Sequence, residues 1–165
     1  MSNARDLSTT KPLVSGTALA TTSGTSFDFT SIPSWVKRIT ITFSEVSTSG
    51  STNIQLLLGT SGGFESTGYI SQIGAIVGSA ASTSGWTTGF VLANVTGTNA
   101  GSGHAVLTKV SGNSWALSAI LKCSTNQINF IGGSKTVSGA LDRIRLNCTT
   151  GTDAFDGGSV NILYE

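Results

Sequence analysis

The side chains that could do acid, base or nucleophilic chemistry in this chain are few: one histidine, two cysteines and eight carboxylates among 165 residues. His104 lies in Ser102-Gly-His-Ala-Val-Leu, where His104, Val106 and Thr108 share one strand face and Ala105, Leu107 and Lys109 the other. That pattern reads as a strand-end residue near a turn. A general base needs a nucleophile within reach and a third group to orient it, and no such set accompanies His104. Asp142, Asp153 and Asp156 gather near the end of the chain, and a pair of acids can cut a glycosidic bond. Asp153 and Asp156, in Gly-Thr-Asp-Ala-Phe-Asp-Gly-Gly, instead read as turn residues bonding their own backbone. Asp142, beside Arg143 and Arg145, reads as a member of an ion pair, and the spacing matches no calcium loop.

Cys123 and Cys148 have no CxxC spacing and no neighbouring histidine, so the usual metal-ligand patterns are missing. Cys123 shares its parity with Ala119 and Leu121, and Cys148 with Ile144 and Leu146, which predicts two buried thiols. A disulfide across adjacent strands is the alternative, and assembly inside a cell argues against it. No GxxxxGK[ST] loop occurs, and Asn94-Val-Thr and Asn147-Cys-Thr read as chance sequons in a Thr-rich chain without a secretory signal. The expectation is a protein that is not an enzyme and uses no cofactor or metal. Recognition chemistry would fall to the tryptophans. Trp115 alternates with Leu117, Ala119 and Leu121 and reads as core. Trp35 follows Pro33 at a strand entry and reads as packing. Trp86, between Gly85 and Thr87, is expected to be exposed and is the candidate for contact with a ligand or partner.

Those residues are carried by strands. Residues 37–43 place Ile39, Ile41 and Phe43 on one face and Arg38, Thr40 and Thr42 on the other, the period of a half-buried strand. Similar readings hold for 14–20, 26–29, 53–58, 68–73, 87–95, 104–110, 114–123, 128–131, 141–148 and 159–164. Turns are expected at 48–53, 59–63, 111–113 and 156–158, where Gly, Ser, Asn and Asp supply positive φ and local hydrogen bonds. Residues 74–86 lack a defined period and are expected to form a long loop or a short helical turn. Short strands at this spacing, with helical periodicity nearly absent, indicate an all-β fold, a sandwich or barrel of antiparallel strands, and the expectation is an antiparallel β-sandwich of jelly-roll-like type. The length suits one domain over residues 12–165, preceded by an arm over 1–11.

Charged residues make up 10% of the chain and the net charge is +1, so no long-range field gathers phosphate or anionic lipid. Nucleic acid and membrane are therefore not expected partners. The first ten residues carry no apolar core of a signal peptide, so a soluble product made in the cytosol is expected. Five lysines are few for blunting the edges of so many strands. Burial of edges between subunits is the simplest substitute, and a homo-oligomer is expected.

Two segments resemble a recurrent family of bacteriophage virion structural β-domains. One runs from Ser15-Gly-Thr-Ala through Thr25-Ser-Phe-Asp-Phe-Thr-Ser-Ile-Pro-Ser-Trp-Val-Lys-Arg-Ile-Thr. The other is Gly133-Ser-Lys-Thr-Val-Ser-Gly-Ala-Leu-Asp-Arg-Ile-Arg-Leu with Gly151-Thr-Asp-Ala-Phe-Asp-Gly-Gly-Ser-Val-Asn-Ile-Leu-Tyr-Glu. The resemblance brackets 12–165 and is much weaker in the middle. It implies a virion protein assembled in the host cytoplasm, either a capsid decoration (cement) protein or the knob of a tail fibre. The short segment before the first strand is too short for a shaft, which favours a trimer that decorates the shell and touches the major capsid protein. The alternative it implies is a tail-fibre tip that binds a host glycan through loop residues such as Trp86.

Overall fold

The structure, a computed structural model, describes residues 12–165; the arm expected over residues 1–11 lies outside the described residues. Fourteen strands follow one another with no helix among the described residues. They are β1 (Val14–Ser15), β2 (Leu19–Ala20), β3 (Ser26–Phe29), β4 (Arg38–Thr48), β5 (Thr52–Thr60), β6 (Gly63–Phe64) and β7 (Tyr69–Val77). The series continues with β8 (Ala80–Trp86), β9 (Phe90–Val95), β10 (Gly101–Ser111), β11 (Ser114–Ser124), β12 (Gln127–Thr136), β13 (Arg143–Cys148) and β14 (Phe155–Tyr164).

They form two antiparallel sheets packed face to face, an all-β sandwich. The larger, nine-stranded sheet runs β1-β14-β4-β10-β11-β12-β7-β8, with β2 also on β14. The smaller, five-stranded sheet runs β3-β13-β5-β6, with β9 also on β5. Alternation explains which side chains meet between them. Ile162, Ile41, Ala105, Ala119, Ile131 and Ile73 stand in one cross-strand row of the large sheet. Across the gap Ile54, Leu56, Leu58, Ile144 and Leu146 of the small sheet are fully buried. Each such Leu or Ile contributes about 1.5–3 kcal/mol on leaving water, so this shared layer is the main source of stability. Trp115 lies in it, as its parity predicts. Trp35 packs on its margin with its ring centroid 6.1 Å from that of Tyr164.

Several elements depart from the sequence expectation. The strand expected over 14–20 is two short pieces, because Ser15 pairs with Leu163 and Leu19 with Val160, leaving one residue too many for a continuous ladder. Asp156-Gly-Gly is not a turn but part of β14, whose register against β4 shifts on either side of Gly157. The first shift leaves Asp156 of β14 as the extra residue and the second leaves one on β4, where Glu45 takes φ 51° and Gly158, at φ 88°, lies close against the Ser44 and Glu45 carbonyls. Past this bulge Phe155 enters the core edge-to-face with Phe27 of the small sheet, centroids 5.2 Å apart. Residues 74–86, expected as a loop or helical turn, are the end of β7, a tight turn and β8. Gly78 at φ 59° followed by Ser79 is the two-residue turn that hairpins favour, with Gly in its first central position.

Candidate functional site

Most charged side chains of the described residues have a partner within the fold. Lys135 Nζ lies 2.6 Å from Glu65 Oε2, and Glu65 Oε1 accepts the Ser138 N–H (2.8 Å) and hydroxyl (2.7 Å). The Tyr69 hydroxyl accepts the Leu58 N–H (2.7 Å) and donates to the Glu65 carbonyl (2.9 Å). Burial, reinforced by the Glu65 charge against the opposing Leu58 hydrogen bond, pushes the Tyr69 phenol above its ordinary range. Arg145 Nε and Nη2 donate to the two carboxylate oxygens of Asp28, both at 2.7 Å, while its guanidinium stacks 4.2 Å from the Phe64 ring centroid. Arg143 donates to Asp142 at 2.7 Å. The ion pair expected at Asp142 is therefore made with Arg143 alone, Arg145 reaching across to β3.

The three carboxylates do not converge into an acid pair. Asp156 accepts the Ser47 hydroxyl (2.5 Å) and Asp153 accepts that of Thr150 (3.1 Å), so neither bonds its own backbone as the turn reading expected. His104 sits in mid-strand rather than at a strand end, exposed on the outer face of β10 between Thr42 and Ile120. Cys123 and Cys148 are both free and buried, as their parity predicts, and burial raises each thiol to about 11. Among the described residues no cluster of His, Cys, Asp and Glu could hold a metal ion.

What the fold does assemble is an uncharged flank. From Glu65 to Lys109 the chain contains no Asp, Glu, Lys or Arg between those two residues, and this stretch supplies β7, β8 and β9. On the side facing the small sheet, the hairpin overhangs β9 and encloses a cleft of about 150 Å³. Ile73 and Ala75 give it an apolar floor, the Ser82-Thr83-Ser84 segment lines one wall, and the amides of Asn53, Asn94, Gln127 and Asn129 line the rest. Asn129, fully buried, donates to the Leu92 carbonyl (3.2 Å) and accepts from Gln127 Nε2 (3.1 Å), which fixes the amides' orientation. Such a lining offers neutral donors and acceptors in alternation and no charge, the chemistry that suits a neutral hydroxylated ligand.

Trp86 is half-buried at the end of β8, not exposed at the end of a loop as expected. It shares the inward parity of Ser82 and Ser84, one ladder step outside the cleft lining. Its indole N–H is buried without an acceptor, as is the hydroxyl of Ser71, its partner in the ladder. The outer face of the same sheet carries an apolar group within a mixed surface: Ile120 pairs with Phe130 and Ile128 with Ile76, Gly74 and Gly132 lie flat beside them, and Lys122, Gln72 and Ser118 border the group. Phe130 is 44% exposed, and Ile70, on the same face, 75%. The sequence reading missed both the cleft and this face. The signal that could have found them is the charge-free stretch itself. No family model matches the chain, no curated protein is similar to it in sequence, and no solved structure matches it.

Proposed function

We propose that this chain is a non-enzymatic surface protein of a bacteriophage particle, a homo-oligomeric decoration protein of trimeric type that stabilises the shell. The observation that carries the reading is the apolar group Ile76, Ile120 and Phe130 on the outer face of the large sheet, each 43–44% exposed, in a chain with only 10% charged residues. Isolated apolar residues on a surface are ordinary, whereas a contiguous patch on a flat sheet is suited to burial against another subunit. In this reading the patch lies against neighbouring major capsid subunits, and binding only to the assembled lattice shifts its stability by mass action. The jelly-roll-like character, the virion location and the resemblance in 15–40 and 133–165 belong to the same proposal.

Cryo-electron microscopy of the particle tests it. Density for this chain over the shell is the expected result; density only at the tail overturns it. The second reading, a tail-fibre tip that binds host glycan, is favoured by the amide-lined cleft under the β7–β8 hairpin. A glycan array with the purified protein, together with competition for adsorption to host cells, separates the two. Strong inhibition by the free protein selects the tip.

A further inference from the structure

β8 is an unfinished edge. It is the last strand of the large sheet, seven residues long and matched to β7 residue for residue without a bulge. Ala80 through Gly85 are all exposed, so the strand buries little on either face, and among the described residues no strand lies along its free side. Proteins blunt such edges with lysine, proline, bulges or extreme brevity. The opposite edge of this sheet obeys that rule, since β1 and β2 are two residues each. β8, Ala-Ala-Ser-Thr-Ser-Gly-Trp, carries no charge and no proline.

The turn fixes which backbone groups are free. A two-residue hairpin turn makes Val77 and Ala80 a hydrogen-bonded pair, so by alternation Ala81, Thr83 and Gly85 direct their N–H and C=O away from β7. We infer that β8 pairs antiparallel with β8 of a second copy of this chain, about a two-fold axis at Thr83. In that register Thr83 faces itself, Ser82 faces Ser84 of the second copy, Ala81 faces Gly85 and Ala80 faces Trp86. The three outward-directed residues of each strand then supply about six backbone hydrogen bonds.

The occupant is a second copy for reasons of charge and shape. Identical strands of small neutral residues approach without repulsion, and facing hydroxyls are favourable cross-strand pairs. A partner strand bearing charges finds no opposite charge here. Head-to-tail addition along the large sheet would need its other edge, and β1 and β2 are too short to accept seven residues, which favours the isologous arrangement. Trp86, at each end of the paired segment, covers an alanine instead of water. None of this rests on the virion reading; it requires only that the chain associates.

The test is the mass of the full chain in solution by light scattering, for the wild type, Thr83→Pro and Thr83→Lys. Proline at Thr83 spares the β7–β8 ladder because that N–H faces outward, and lysine there sets two like charges opposite each other. The expected result is a wild type of even chain number, two chains or, where trimers also form, six, stable from low to moderate salt, whose β8 pairing weakens more than tenfold in both variants while the strand signal in circular dichroism is kept. Thr83→Cys, self-opposed across the axis, is expected to cross-link on oxidation, whereas Val110→Cys, exposed elsewhere, is not. A monomeric wild type, an oligomer indifferent to Thr83→Lys, or an uncross-linked Thr83→Cys overturns the pairing. A trimer indifferent to these variants would do so while leaving the shell-decoration proposal standing.

Discussion

Lys135 and Glu65 form the ion pair that the fold buries most deeply, and its two members are not equivalent. The Lys135 side chain is 7% exposed and that of Glu65 21%. Removing the carboxylate strands an ammonium whose remaining neighbour is the Tyr69 ring, 5.3 Å from its centroid. Removing the ammonium leaves a carboxylate still held by the Ser138 N–H and hydroxyl and still in touch with water. An uncompensated buried charge costs about 3–5 kcal/mol, and a pair whose survivor stays hydrated about 1 kcal/mol. Glu65→Gln is therefore expected to cost about 3 kcal/mol and Lys135→Met about 1 kcal/mol. In a chain of this length that is a fall in Tm of about 6–12 °C against about 2–4 °C. The double variant recovers most of the loss, since neither charge is then orphaned.

Urea unfolding followed by circular dichroism measures all three. If Lys135→Met proves as costly as Glu65→Gln, or if Glu65→Gln costs less than about 1 kcal/mol, the asymmetry drawn from burial is wrong. Acid supplies an independent check. Burial alone raises the Glu65 carboxyl, but hydrogen bonds from Lys135 and Ser138 and the Lys135 charge outweigh it and hold it below its ordinary value. A carboxyl lowered in the folded state adds stability above its unfolded pKa, and that stability is lost as pH falls through the folded pKa. The gap between wild type and Glu65→Gln is expected to narrow over that acid window.

Two further outcomes follow from single positions. Gly158→Ala forces a side chain into φ 88° and against the Ser44 and Glu45 carbonyls, so it is expected to cost more than about 2 kcal/mol, whereas Gly78→Ala, with open space around it, pays only the backbone term of about 1 kcal/mol; equal losses in urea titrations would contradict this. Cys123 and Cys148 are expected to ignore a thiol reagent at neutral pH and to react together on unfolding, and prompt labelling of the native protein would show that the thiols are reachable.

The sequence was most legible where one face of a strand is apolar and the other is not. Ser26–Phe29 has the expected bounds, and Ser114–Ser124 exceeds its expectation by a single residue. Ile39, Ile41 and Phe43 point inward as their spacing requires. β8 was illegible for the converse reason: with both faces exposed and every residue from Ala80 to Gly85 small, no contrast marks the period. Strand order was equally hidden, because nothing local tells β14 to run between β1 and β4. The cleft draws Asn53, Asn94, Gln127 and Asn129 from three strands distant in sequence, each an ordinary polar residue by itself. Trp86 was conspicuous by type, yet it stands one step beyond that lining.

The unequal ends of the large sheet also bound how far such molecules can join. A strand array that is adhesive on both flanks polymerises without limit, whereas one with a single receptive flank is satisfied by one neighbour. Because β1 and β2 offer only stubs where β8 offers seven residues, the proposed pairing along the large sheet would stop at a closed pair and not propagate into a filament.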